Sequence, residues 1–166
     1  MLSTDAVVHE LYSSAEVRDL VVARWGEEVA PGGTTDRSVV AKRAFATPED
    51  REWLEGMLWP RVGERIWTWR EEQSARDPAP RALVVEVPLL FESGMDAAFD
   101  ATVAVVAGEA VRRERAGARG HESLDERTAR QLTQEEKAAR ATYTVANSGT
   151  LEELEQTLAG VLEKLQ

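Results

Sequence analysis

Apolar residues are arranged along the chain in two ways. Long segments repeat them every three or four positions, and three short segments are apolar almost without interruption. The first pattern predicts helices. Residues 5–24 read as helix, with Asp5 a plausible N-cap and Ser14 a second start ahead of an acidic first turn. GEEVAPGGTTD (26–36) is a loop carrying Pro31, Gly32 and Gly33. A helix is expected over 37–45. The next begins strongly: Thr47 caps, Pro48 takes the first helical position, and Glu49 and Asp50 follow. Pro60 is expected to kink or break that helix.

The second pattern predicts strands. LVVEV (83–87), ATVAVVA (101–107) and the shorter TYTVAN (142–147) are separated by helical segments. The near-continuous apolar character of the first two predicts parallel strands buried on both faces, and Pro88 can close the first of them. EAVRRERAGARG reads as a helix ending near 117–120. LDERTARQLTQEEKAARA is helical, with Thr133 a possible start of a second segment. LEELEQTLAGVLEKL is an amphipathic closing helix with Leu151, Leu154, Leu158 and Leu165 largely on one side. Strands alternating with helices predict an α/β fold with a mainly parallel sheet. Ligands in such sheets bind at the carboxyl ends of strands, and Val87–Pro88 is such an end.

Composition narrows the picture. The 166 residues are 43% hydrophobic and 30% charged, as in an ordinary globular protein, and suffice for one domain with a real core. There is no apolar run long enough to span a bilayer and no signal-peptide pattern in MLSTDAVVHELY. Cysteine is absent, which removes disulfides, thiolate metal sites and cysteine nucleophiles and fits a cytoplasmic location. The two histidines, His9 and His121, are far apart in sequence, which argues against a histidine-rich metal site. A net charge of -10 argues against a general nucleic-acid binder. Yet RRERAGAR (112–119) carries four arginines, a cluster suited to an anionic ligand or, more blandly, to a solvated helix face with Glu–Arg pairs. Trp53, Trp59, Trp67 and Trp69, four of the five tryptophans, fall within 17 residues. They read as aromatic core between helices or as one wall of a pocket for a large ligand.

The ordered set STDAVVHELY, FATPEDREWLEGMLWP, VEVPLLFESG, R-x-x-x-R, R-x-x-x-Q-x-x-x-x-x-K and N-S-G resembles the dephospho-CoA kinase family along nearly the whole chain. The resemblance implies a P-loop NTPase-like three-layer α/β fold and transfer of phosphate from ATP, with Mg²⁺, to the ribose 3′-hydroxyl of dephospho-CoA, the last step of coenzyme A synthesis. It implies one domain over 1–166, with a helical acceptor-binding region at about 6–80 and a lid with its following helix at about 109–140. Dephospho-CoA and ATP are the expected partners, with no nucleic acid and no membrane.

The family's phosphate loop, G-x-x-x-x-G-K-[ST], does not occur. No Gly-Lys pair exists, and the only lysines are Lys42, Lys137 and Lys164. The chain starts where the family's second strand would lie. The expectation is therefore an N-terminally incomplete kinase with impaired or absent activity. Smaller departures are Ser3-Thr4-Asp5 where the family often has Asp-Ala-Asp, Trp59-Pro60 for His-Pro, and Ala141-Thr142 for Ala-Asp. Three rivals stay open: a non-catalytic binder of the CoA precursor, a helical interaction module using the tryptophan-rich segment, and a different P-loop nucleoside or nucleotide kinase.

The resemblance also implies roles, each beside a plainer one. Asp5 would accept the proton of the ribose 3′-hydroxyl, or merely cap its helix. Arg115 would reach the transferring phosphate with Arg119 on the same helix face, or both would pair with Glu114 or Glu122. Arg127, Gln131 and Lys137 fit the lid and the helix after it. Asn147, with Ser148 and Gly149, would approach the adenine, or simply form a turn. Glu86 aligns with an acidic position near the acceptor and metal region, or pairs with an arginine. Pro88, Leu89, Leu90 and Glu92 would shape the wall near dephospho-CoA.

Overall fold

The computed structural model describes residues 1–118 and 131–165, and it divides at the proline that closes the VVEV strand: Met1–Pro88 form one unit and Leu89–Gln166 another.

In the first unit, strand β1 (Leu2–Ser3) pairs in parallel with β2 (Val85–Glu86), Leu2 opposite Val85 and Ser3 opposite Glu86. The chain turns straight from β1 into helix α1 (Thr4–Ser13). Ser3, not Asp5, is the N-cap residue, and its side chain makes no capping bond. The Thr4 hydroxyl instead donates to the Glu86 carbonyl at 3.0 Å, tying the helix start to the end of β2. Ser14 starts α2 (Ala15–Trp25) as expected, accepting from the Val17 N–H. Asp36 caps α3 (Arg37–Ala44) by accepting from Ser38 and Val39. Those bonds, with the Ser38 hydroxyl first among them, hold its carboxyl below the usual value.

Helix α4 (Pro48–Ser74) starts at Thr47 and Pro48 as its sequence requires, and Pro60 does not break it. Proline at 60 forfeits only the bond to the Gly56 carbonyl. Burial of Met57, Leu58 and Val62 on both sides of it anchors the helix across that point. The core of this unit is aliphatic: Val17, Val21, Val29, Val40, Met57 and Leu58 are buried together. The tryptophans contribute at its rim. Trp53 meets Trp25 edge-on at 5.0 Å, whereas Trp67 is 58% exposed beneath Arg70. The expected aromatic core is thus a valine core with an aromatic border.

In the second unit, β3 (Val103–Val106) pairs in parallel with β4 (Tyr143–Ala146). Thr102 and Thr142 begin this ladder by exchanging bonds: each hydroxyl accepts from the other's N–H, at 3.1 and 3.0 Å. This gives Thr142 a structural task at the position where the family often has aspartate. Helix α5 (Glu109–Ala118) follows β3, α6 (Gln134–Arg140) precedes β4, and α7 (Leu151–Lys164) closes the chain. Thr133 and Thr150 head α6 and α7 with complete capping boxes. On α7 Val161 is buried and Leu154 and Leu158 are half-buried, with Leu151 and Leu165 exposed.

Burial of the strands on both faces is not observed. Val84 is 50% exposed, and Val103 and Val105 face outward while Ala104 and Val145 are buried. Each described strand has a single neighbour, and Val103 and Val105 leave one face of the β3–β4 ladder partly exposed among the described residues. Among the described residues no helix is long and apolar enough to cross a membrane.

Candidate functional site

The two ladders present their carboxyl ends differently. In the first unit, Ser3 and Glu86 are opposite each other at the last paired position, so Asp5, Glu86 and Pro88 all follow from one end of the ladder. Asp5 lies in the first turn of α1 and is exposed, and no hydrogen bond or ion pair reaches its side chain among the described residues. The first turn is also where a carboxylate is favoured by the helix dipole. Glu86 is exposed, and its backbone carbonyl, not its carboxylate, receives Thr4. No arginine pairs with Glu86 among the described residues.

A second polar group lies on α1 and α3. Arg37 Nη1 donates to His9 Nδ1 at 2.7 Å, and the guanidinium lies over Tyr12. Burial raises the Tyr12 hydroxyl above its ordinary value, outweighing the Arg37 charge. Tyr12, Ser13, Ser14, Arg18 and the 33–35 loop line a small polar cavity of about 100 Å³.

In the second unit, Leu89 opens the turn that carries LLFESG. Its carbonyl accepts from the Ser93 N–H, the Met95 N–H donates to the Leu90 carbonyl, and Gly94 takes the left-handed conformation at φ 69 that favours glycine. Leu89 and Leu90 are half-buried. Glu92 is turned into the unit. Its Oε1 accepts from the Leu132 N–H and pairs with Lys137 Nζ, both at 3.0 Å. Its Oε2 is buried without a hydrogen bond among the described residues. Burial opposes ionisation of this carboxyl, but the Lys137 hydrogen bond, the backbone N–H groups and the Lys137 charge outweigh it, and the group titrates below the usual range.

The carboxyl ends of β3 and β4 bring together Arg115, Asn147, Ser148 and Gly149. Arg115 is half-buried, and its Nη1 donates to the Asn147 carbonyl at 2.9 Å. The Asn147 N–H donates to the Val106 carbonyl at 2.7 Å, continuing the ladder by one bond. The Gly108 N–H donates to Ser148 Oγ at 3.1 Å. A Cβ added at Gly149 would displace Glu153 Oε2, the carboxylate oxygen that closes the capping box of α7. Arg119 and Arg127 lie outside the described residues. Gln131 is exposed, and Lys137 is engaged by Glu92.

Gln134 is a residue that sequence reasoning missed. Its side-chain amide pairs with both backbone groups of Ala107, accepting from the N–H at 2.9 Å and donating to the carbonyl at 3.0 Å. It lines a cavity of about 300 Å³ with Val106, Ala107, Gly108, Glu135 and Ala138. Only the position after the capping Thr133 hinted at it, and that position says nothing of Ala107.

Mg²⁺ has no protein cage here. Among the described residues no three His, Cys, Asp or Glu side chains are grouped to hold a metal ion, and the Ser or Thr of the phosphate loop is missing from the sequence. Asp5 and Glu86 are the carboxylates at the ladder end, and Mg²⁺ is commonly held by one or two carboxylates together with water and substrate phosphates. Among the described residues, Asp5 and Glu86 would therefore suit an Mg²⁺ that arrives with the ATP phosphates better than a resident ion caged by protein.

Comparison with known proteins gives a consistent answer. Residues 1–153 match the family model CoaE, dephospho-CoA kinase. The dephospho-CoA kinase of Protochlamydia amoebophila is 36% identical over 170 residues, covering 99% of this chain and 83% of the relative. That of Deinococcus radiodurans is 40% identical over 141 residues, covering 83% of this chain and 67% of the relative. A Thermus thermophilus crystal structure superposes with a TM-score of 0.79 at 32% identity, covering 99% of this chain and 84% of its own. The dephospho-CoA kinase of Campylobacter jejuni shares the fold, with a TM-score of 0.67 at 20% identity.

Proposed function

This chain belongs to the dephospho-CoA kinase family, and we propose that it holds and orients dephospho-CoA for phosphorylation of the ribose 3′-hydroxyl by ATP. The observation that carries this reading is Asp5. It is an exposed carboxylate at the carboxyl end of a parallel ladder, unpartnered among the described residues and beside Glu86 and Pro88. Phosphoryl transfer asks a protein for positioning and charge neutralisation more than for covalent chemistry. A carboxylate there accepts a hydrogen bond from the attacking hydroxyl, aims its oxygen at the γ-phosphorus and takes its proton. In the first unit, Glu86 and Pro88 shape the acceptor's surroundings. In the second unit, Glu92 ties down the turn of Leu89 and Leu90, which the family resemblance assigns to the acceptor wall.

On the donor side, Arg115 neutralises charge on the transferring phosphoryl oxygens, a task the family resemblance gives to Arg119 as well. One of its five N–H donors holds the Asn147 carbonyl and orients the guanidinium. Asn147 and Gly149 form the turn that meets the adenine. Mg²⁺ bound to ATP would neutralise phosphate charge.

Lacking the G-x-x-x-x-G-K-[ST] sequence, the 166 residues transfer phosphate slowly or not at all. The same feature favours a second reading, a binder of the CoA precursor without ATP chemistry. Calorimetric titration with dephospho-CoA tests the acceptor site common to both. Binding is expected to weaken by about tenfold in D5A, the loss of one charge-assisted hydrogen bond. Equal affinity in D5A and the parent chain removes Asp5 from the site. No binding by the parent chain removes the acceptor reading.

A further inference from the structure

We infer that Gln134 is a positioning residue for the Asn147–Gly149 turn, acting through Ala107, Gly108 and Ser148. The inference deepens the reading of that turn as the nucleotide contact and rests on it for its functional meaning.

The β3–β4 pairing ends at Val106 and Ala146. One residue further, Ala107 would have an N–H and a carbonyl to satisfy at the edge of the ladder. Gln134 satisfies both with one planar amide, as a neighbouring strand would. The next residue, Gly108, is then fixed so that its N–H meets Ser148 Oγ and its carbonyl accepts the Arg112 N–H at the start of α5. The turn is thus tied to the β3 end by two bonds: Asn147 N–H to the Val106 carbonyl, and Gly108 N–H to Ser148 Oγ. The second depends on where Gln134 holds Ala107.

Gln134 is itself firmly placed. It is the first residue of α6, behind the Thr133–Glu136 capping box, and the preceding Leu132 N–H is held by Glu92. Removing the Gln134 amide therefore frees the Ala107–Gly108 corner without undoing the helix that presents it.

The test uses the 166-residue chain with the variants Q134L, which keeps the side-chain bulk and loses both bonds, and S148A. Amide hydrogen exchange is followed residue by residue by NMR, and ADP is titrated against the same amides. In Q134L, exchange at Ala107, Gly108 and Asn147 is expected to quicken by about tenfold, the effect of one lost net hydrogen bond. Val105 and Val145 should stay within about twofold of the parent, since their ladder bonds are untouched. S148A should reproduce the change at Gly108 and Asn147 but leave Ala107 protected. The ADP dissociation constant should rise by about five- to tenfold in Q134L, and Q134L/S148A should be no weaker than Q134L, because both act on one link.

Faster exchange at Ala107 with Asn147 unchanged overturns the inference and leaves Gln134 a local plug. Uniform acceleration through Val105 and Val145 overturns it as well and makes the residue merely structural. If ADP shifts no amide of the parent turn, the nucleotide reading fails, while the exchange pattern still decides whether Gln134 positions the turn.

Discussion

Replacing Glu92 with alanine removes two contacts that converge on a single oxygen, and the structure allows the cost to be estimated. The Leu132 N–H loses its acceptor. An unsatisfied backbone donor of this kind costs about 1–3 kcal/mol, toward the low end where water can reach it. Lys137, whose side chain is 23% exposed, loses a 3.0 Å ion pair. A partly solvated pair adds about 1 kcal/mol. The total is about 2–3 kcal/mol, or roughly 30- to 160-fold faster amide exchange where local opening governs it. E92Q keeps an acceptor for Leu132 and should lose only about 1 kcal/mol.

The probe matters. All five tryptophans lie between Trp25 and Trp69, in the first unit, so fluorescence does not report on this change. Exchange measured by mass spectrometry on peptides spanning 131–140 does. The pH dependence has a definite sign. The Glu92 carboxyl is lowered from its ordinary 4.5, so its contribution is complete above that value and is lost as pH falls through the lowered one. The difference between the parent chain and E92Q should be full at neutral pH and should shrink well below about 4.5. Exchange at 131–140 within twofold of the parent in E92A refutes the reasoning, as does an E92Q effect that is the same in acid as at neutrality.

Other consequences are as specific. G149A should push the Glu153 carboxylate off the Thr150 N–H and destabilise the start of α7 by about 1 kcal/mol; unchanged exchange over 151–154 would contradict this. V21A, at a fully buried position in the valine core, should cost about 2–3 kcal/mol in fluorescence-detected denaturant unfolding of the first unit. A loss below about 0.5 kcal/mol would mean the site relaxes around the missing methyls.

Where local chemistry decides the structure, the sequence is readable. Ser14, Thr47 and Thr133 each start a helix because a hydroxyl ahead of free N–H groups is a strong local signal. The three strands were legible as apolar runs, though each is shorter than its run. Their exposure was not legible, because an apolar run records what a strand is suited to pack against, not what is present beside it. Pro60 misled for a related reason: the penalty of an interior proline is local, while the anchoring by Met57, Leu58 and Val62 is tertiary. At the site, the Asn147–Gly149 turn could be placed from its motif. The engagement of Glu92 by Lys137 and Leu132, and of Gln134 by Ala107, joins residues 27 to 45 positions apart in sequence and needed the fold. Asp5 illustrates both sides. Its place after β1 was readable, while the N-cap position suggested by its residue type is held by Ser3, whose side chain makes no capping bond.

The most direct measurement is MgATP-dependent conversion of dephospho-CoA to coenzyme A by the 166-residue chain, beside a family member that carries G-x-x-x-x-G-K-[ST]. Dephospho-CoA is expected to bind, with a transfer rate lower by about a thousandfold or more, the scale on which phosphoryl transfer depends on groups that neutralise the transition state. A rate within tenfold of the complete relative would contradict it and require other residues of this chain to hold the ATP phosphates.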